Sequence, residues 1–295
     1  MTDQAISSMR REPTVLRLIK AAALIRESWV GMVGLGIIVF WAVVAILADV
    51  IAPFPPNATG APMTLPGGPA LDGSGIHWLG TDQLGRDILS RIIHGSRQVL
   101  LYAPLATLCA YAVGIPMGLA AGYRRGLTDD VLSFIANVIL SFPVLVLYII
   151  IIATIGASGI NIIIAVTFAS APGIMRIVRG LVLDLRNREY VFAAETRGES
   201  AWRIMLVEIL PNARGPLIVD GCLRLGYVII TIGTLGFLGL GLPPPDPDWG
   251  KMITEARAFI QFMPHMAIFP CIAISSLVLG FNLLADGLRE VSLRD

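Results

Sequence analysis

Asp220 and Arg224 are charges set inside an apolar run, four residues apart with the acid first. On a helix that order places them on one face as a favourable ion pair. A charge at mid-bilayer costs about 2.5–3.5 kcal/mol on insertion scales. Such a pair therefore either neutralises itself and snorkels to a headgroup surface, or serves as a gate or a lining of a polar path. Asp286 and Arg289 end a later apolar run in a similar way. Asn137, Ser141, Asn161 and Asn282 are polar residues within apolar runs. Each reads either as part of such a path or as a helix–helix hydrogen bond.

The constellations that would carry hydrolysis are missing. The Gly250-Lys251 pair is followed by Met252 and lacks the upstream glycine of a phosphate-binding loop. There is no HExxH, and His77, His94 and His265 are scattered. Residues 72–75, Asp-Gly-Ser-Gly, lie in a Pro/Gly-rich stretch without the strand-to-helix context of a serine nucleophile. Cys109, Cys222 and Cys271 sit in separate apolar runs and fit neither a disulfide framework nor a zinc site; they read as small packing residues. No metal ligand set and no catalytic residue is expected.

The largest polar feature is the stretch 189–212, between long apolar segments. Residues 188–197 favour helix, Gly198 suits a helix end, and Ser200 can cap a second helix towards Leu210. Pro211 and Pro216 are expected to separate that helix from the next span. Ala193 and Ala194 present a shallow surface that could enter a partner's groove. The alternative is an amphipathic connector resting on lipid headgroups.

The elements that must position these residues are membrane helices. The chain is 55% hydrophobic, with a mean hydropathy of +0.76 and 15% charged residues, where soluble domains carry about a quarter. Uncharged runs near the 20 residues of a spanning helix give six spans, at 29–52, 100–123, 131–155, 160–183, 217–242 and 266–288. The runs are uniformly apolar rather than alternating, which argues against strands. Residues 1–28 are mostly polar and the first run is too long for a signal-peptide core, so the first span is expected to be retained.

Sixteen Lys and Arg residues fall on the side shared by both termini and the 189–212 stretch, against five on the other. Both termini are therefore predicted to be cytoplasmic. The expected organisation is a cytoplasmic segment 1–28, a first helix 29–52 and an outer loop 53–99. A five-helix core 100–288, with the inner loop 184–216, and a tail 289–295 complete it. The outer loop begins as irregular Pro/Gly-rich surface and ends in an amphipathic helix over 81–101. Gly114, Gly118 and Gly122, four apart, predict close helix packing, and Pro116 is placed to kink that helix. No internal repeat of the kind common in secondary transporters is evident. A net charge of +1 gives no reason to expect nucleic acid.

The 189–212 stretch resembles the EAA loop of ABC-importer permeases: Glu-Ala-Ala, three residues, Gly, nine residues, then Ile-x-Leu-Pro. Ala193, Ala194, Gly198 and Leu210-Pro211 match, with Ile209 one place late. Phe192 stands at the Glu position, which leaves Glu189 and Glu195 as the neighbouring acids. Residues 80–91, 95–97, 141–143, 235–250 and 281–289 resemble dipeptide/oligopeptide/nickel permeases of the second-subunit (DppC/OppC-like) type. The resemblance runs from Trp29 onwards.

It implies an all-α, six-helix permease of the MetI-like type I importer fold in a bacterial inner membrane. A second homologous permease, two ATP-binding subunits that hold ATP and Mg, and a periplasmic solute-binding protein would be its partners besides lipid. The cargo would be a di- or oligopeptide or a related small solute. The implied ATPase-coupling residues are Glu189, Phe192, Ala193, Ala194, Glu195, Thr196, Arg197, Gly198, Ser200 and Trp202. Asp82, Arg86, Asp87 and Trp249 are expected to face the binding protein. Asn137, Ser141, Asn161, Asp220, Arg224 and Asn282 are the expected path or gate. The rival expectation is a stand-alone ion- or proton-coupled transporter, which the scarcity of mid-span carboxylates disfavours.

Overall fold

The computed structural model describes residues 28–71, 73 and 75–292. Segment 1–27, with its basic residues Arg10, Arg11, Arg17, Lys20 and Arg26, lies outside the described residues, as do Asp72, Ser74 and Arg294. In chain order the helices are α1 (Trp29–Ile46), α2 (Ala48–Ile51), α3 (Ile88–Arg124), α4 (Leu127–Leu140), α5 (Val144–Ile155), α6 (Gly159–Leu185), α7 (Glu189–Thr196), α8 (Ala201–Arg203), α9 (Leu210–Phe237), α10 (Trp249–Ala256) and α11 (His265–Ser292). A π-helical turn, Ile204–Ile209, joins α8 to α9. The outer loop holds a two-residue antiparallel ladder, Gly68–Pro69 with Ile76–His77, in a stretch expected to be irregular.

Five continuous helical runs are long and apolar enough to cross a bilayer, and α4 with α5 make a sixth if that bent pair is one span. The pair is the main departure from the expected spans. The run 131–155 is not one helix but two, bent by 87° at Ser141-Phe142-Pro143. Proline lacks an N–H and clashes with the preceding turn, and it pushes the residue before it out of the helical region.

The outer loop also differs. The amphipathic helix and the second span are one helix, α3, of 37 residues, about 55 Å long at 1.5 Å per residue. Nothing between them stops it. Asp87 caps its start, accepting the Ser90 N–H at 2.7 Å, so the helix begins at Ile88 rather than near Thr81. Pro104 and Pro116 both lie inside it without ending it.

The glycine stripe does what its spacing predicts. α3 and α6 run parallel, and a Cβ on Gly114, Gly118 or Gly122 would lie 2.7, 2.5 and 2.7 Å from the Cβ of Ile174, Val178 and Val182. Only hydrogen at those positions permits the approach. Near the C-terminal end of α6, Arg179 grips the Asp129 carboxylate of α4 through two bonds, 2.5 and 2.6 Å. α1 packs on α11, where Gly34 meets the Gly280–Leu284 backbone and Trp41 Nε1 donates to Ser276 Oγ at 2.9 Å.

Candidate functional site

The loop after α6 is built on a helix end of Schellman type. In α7 the Gly198 N–H bonds the Glu195 carbonyl at 2.9 Å and the Glu199 N–H bonds the Ala194 carbonyl at 3.2 Å. This pairing turns the chain through a left-handed residue, and Gly198 has φ +74°. The two faces of α7 then separate. Val191 and Ala194 are fully buried, together with Ile204, Met205 and Ile209, against Leu119, Ile174, Val178 and Val182 of α3 and α6. Phe192 and Trp202 are 53% and 49% exposed, and Leu206 lies open beside them. Of the two alanines only Ala193 is exposed; Ala194 is a packing residue, contrary to the expected shared surface.

The polar residues tie the loop down. Tyr123 at the end of α3 donates to Glu195 at 2.9 Å. Glu199 pairs with Arg197 and Arg203, both at 3.0 Å. Arg124 stacks over the Trp202 ring at 5.4 Å, a cation–π contact. Glu189, Thr196 and Gly198 are exposed. The Tyr190 hydroxyl is buried without a partner, and burial pushes its pKa up. Ser200 occupies the N-cap position of α8, but its side chain makes no capping bond.

Pro211 does not separate the second helix from span five. Residues 201–237 form one continuous run. The π turn absorbs the proline: the Leu210 N–H reaches back to the Met205 carbonyl, five residues away. The widened turn displaces the carbonyl that a proline ring would strike. The loop is therefore rigidly joined to a membrane helix at its C-terminal end.

That helix carries Asp220 and Arg224. Arg224 Nε donates to Asp220 Oδ2 at 2.7 Å, and the Tyr111 hydroxyl of α3 donates to the same oxygen. Arg224 is fourteen residues past Leu210, about 21 Å along the helix. Asp220, itself bonded by Tyr111 of α3, holds Arg224 within the bundle. Arg224 opens onto a cleft of about 290 Å³ between α3, α5, α6 and α9, lined also by Thr107, Tyr148, Ser170, Tyr227 and Thr231. Sequence reasoning missed these hydroxyl residues, because Tyr, Ser and Thr in apolar runs carry no pattern of their own.

The other expected path residues lie elsewhere. Asn137 accepts from Arg176 at 2.6 Å between α4 and α6. Ser141 bonds the Val138 carbonyl at the α4 end. Asn161 donates to the Ile155 and Gly156 carbonyls at the α5 end. Asn282 lies against Gly226. None of the four lines the cleft.

Of the four residues expected to face the binding protein, Asp82, Asp87 and Trp249 are buried and Arg86 is partly buried. Asp82, Asp87 and Trp249 are 7%, 1% and 1% exposed. Asp82 binds the Leu84 and Arg86 amides, and Arg86 bridges Asp82 at 2.6 Å to Glu255 at 2.5 Å. Asp87 accepts from Ser90 and contacts His77 at 2.8 Å. Trp249 Nε1 donates to the Ile92 carbonyl at 3.0 Å, beside Gly95. Asp248, at the start of α10, accepts the Leu242 and Lys251 amides, both at 3.1 Å. Burial pushes its carboxyl pKa up against those amide bonds. These residues fasten the outer loop, α3 and α10 into one cap.

A multi-helix bundle of membrane-spanning length, with a polar cleft and a packed loop at one end, is the architecture a solute permease requires. A family model described as binding-protein-dependent transport system inner membrane component matches residues 114–294, and one described as the N-terminal TM domain of oligopeptide transport permease C matches 23–66. The dipeptide transport system permease protein DppC of Haemophilus influenzae is 37% identical over 260 residues, covering 88% of each chain. The glutathione transport system permease protein GsiD of Escherichia coli O157:H7 is 39% identical over 265 residues, 90% of this chain and 86% of the relative. The MetNI methionine ABC transporter, solved in inward-facing conformations, shares the fold with a TM-score of 0.58 at 18% identity. The match covers 69% of this chain and 97% of that one.

The chain belongs to the binding-protein-dependent transport inner membrane component family. It is a multi-pass permease subunit of an ABC importer, and this membership decides against the stand-alone ion- or proton-coupled transporter.

Proposed function

We propose that this permease forms, with a second homologous permease, the translocation path for di- or oligopeptides or related small solutes. A periplasmic solute-binding protein delivers the cargo. Two separate subunits bind ATP and Mg and hydrolyse the nucleotide, and both termini lie in the cytoplasm. The relatives named for dipeptide and glutathione transport support a small peptide as cargo. The lysine and arginine distribution supports the orientation.

The observation that carries the coupling role is the division of α7. One face, Val191 and Ala194, is packed into the bundle, while Phe192, Ala193 and Trp202 face outwards on a rigid mount. ATP-driven closure of the ATPase subunits would move that mount, and the π turn passes the movement into α9 and its cleft. Replacing the native cysteines and placing one at Ala193 tests the proposal. In the assembled transporter it is expected to form a disulfide with a cysteine scanned along the ATPase surface, at a yield that changes with ATP. No disulfide at any scanned position, with uptake intact, would overturn the docking role.

A further inference from the structure

α6 carries a charge that the bundle leaves uncompensated. Arg179 and Arg224 each bond a carboxylate, Asp129 and Asp220. Arg176 bonds an amide instead: its Nη2 donates to Asn137 Oδ1 at 2.6 Å, in an exposed position. Among the described residues no carboxylate lies within ion-pair distance of it. The bond is deep in the span. Counted along α4 from Asp129, Asn137 is eight residues on and Ser141 twelve, about 12 and 18 Å at 1.5 Å per residue. A hydrocarbon core is about 30 Å thick, so a helix entering it at Asp129 has both residues near mid-core. A charged side chain at that depth faces water or a partner rather than hydrocarbon.

The backbone beside it is broken. The Ser141 N–H closes the last turn of α4 on the Asn137 carbonyl at 3.0 Å, and α5 then starts without a side-chain cap. Its first amides, on Val144, Leu145 and Val146, have no acceptor within the helix, and all three residues are exposed. Lipid supplies no acceptors, so irregular backbone at this depth lines water or is buried in protein. Val144 also lines the polar cleft, which joins the break to that space. Two independent features, an uncompensated guanidinium and an uncapped helix start, thus exclude hydrocarbon from one face.

We propose that this face, α4 with the break and the adjoining turn of α6, is a wall of the translocation path continuous with the cleft, and that Arg176 takes the C-terminal carboxylate of a passing peptide. The proposal rests on the permease reading above. A guanidinium has five N–H donors in a planar fork that fits a carboxylate. One goes to Asn137, which positions the group.

The test uses the complete transporter in nanodiscs without binding protein, with the native cysteines replaced by serine. A charged, impermeant thiol reagent is expected to label Val144→Cys about tenfold faster than Phe40→Cys, on an exposed position of α1, because only the first meets water. Dialanine is expected to slow labelling of Val144→Cys at concentrations about tenfold lower than its C-terminal amide does. Arg176→Gln is expected to abolish that difference and Arg176→Lys to keep part of it. Equally slow labelling at both positions would overturn the path wall. Equal protection by acid and amide, or an unchanged preference in Arg176→Gln, would overturn the role of Arg176. A labelling rate that follows the anionic-lipid content of the nanodisc and ignores dialanine would give Arg176 to a lipid phosphate, and overturns that role as well. Co-purification of the ATPase subunits checks the assembly of each variant, and the acid-over-amide preference of the parent decides the matter where a variant fails to assemble. ATP-dependent uptake by the parent complex is measured in parallel. Its presence without acid-selective protection overturns the Arg176 proposal alone, and its absence counts against the permease reading itself.

Discussion

Gly198→Val is expected to uncouple ATP hydrolysis from uptake while the protein still inserts and assembles. The perturbation is confined to the backbone, because a Cβ at Gly198 meets nothing within 4 Å. The strain comes from φ +74°, which costs an L-residue about 1–2 kcal/mol and makes a β-branched one an outlier. A cost of that size lowers the population of the docked turn by a factor of roughly 5–30. Gly198→Asn keeps the same bulk outside the turn yet tolerates the left-handed conformation, so it should retain most of the coupling. The assay is uptake of labelled peptide per ATP hydrolysed in proteoliposomes, with membrane yield as control. Equal coupling in the Val and Asn variants would mean that the glycine's backbone conformation is not what the loop needs.

Other outcomes follow from the packing. Gly118→Leu forces a side chain against Val178 and the Met175 carbonyl, an overpacking cost of about 1–3 kcal/mol, and should lower the Tm of the detergent-solubilised protein. Trp202→Ala removes the exposed indole and its contact with Arg124, and should lower ATPase co-purification at least as much as Phe192→Ala does. In intact spheroplasts an impermeant thiol reagent should label Leu84→Cys, on the outer loop and 53% exposed, but not Phe192→Cys; the reverse pattern would invert the topology.

Much of this fold was legible because membrane helices are written in composition. Apolar runs of spanning length, and a stripe of glycines whose only use is close approach, mark α1, α3, α6 and α11 without tertiary information. The breaks were harder to place. Pro143 and Pro211 look alike in sequence, yet the first ends a helix at an 87° bend and the second sits within a continuous run. The difference is the π turn before Pro211, whose Ile204, Met205 and Ile209 are buried against α3 and α6. The loop's location and its glycine turn were readable from spacing. Which alanine faces outwards was not, because that depends on the docking of α7. The outer charges misled for a related reason: Asp82, Arg86 and Asp87 read as open polar surface, and only the fold shows that they bond one another, nearby amides and Glu255.

In the proposed function this chain supplies the path and the docking loop while the energy enters from separate subunits. Uptake of labelled dipeptide into proteoliposomes, with the solute-binding protein outside, tests it most directly, comparing this chain and its second permease with and without the ATPase subunits and enclosed ATP. Accumulation is expected only when both are present, and is expected to be lost when the catalytic base of the ATPase is removed. Accumulation by the permeases alone, driven by an imposed ion or proton gradient, would contradict it.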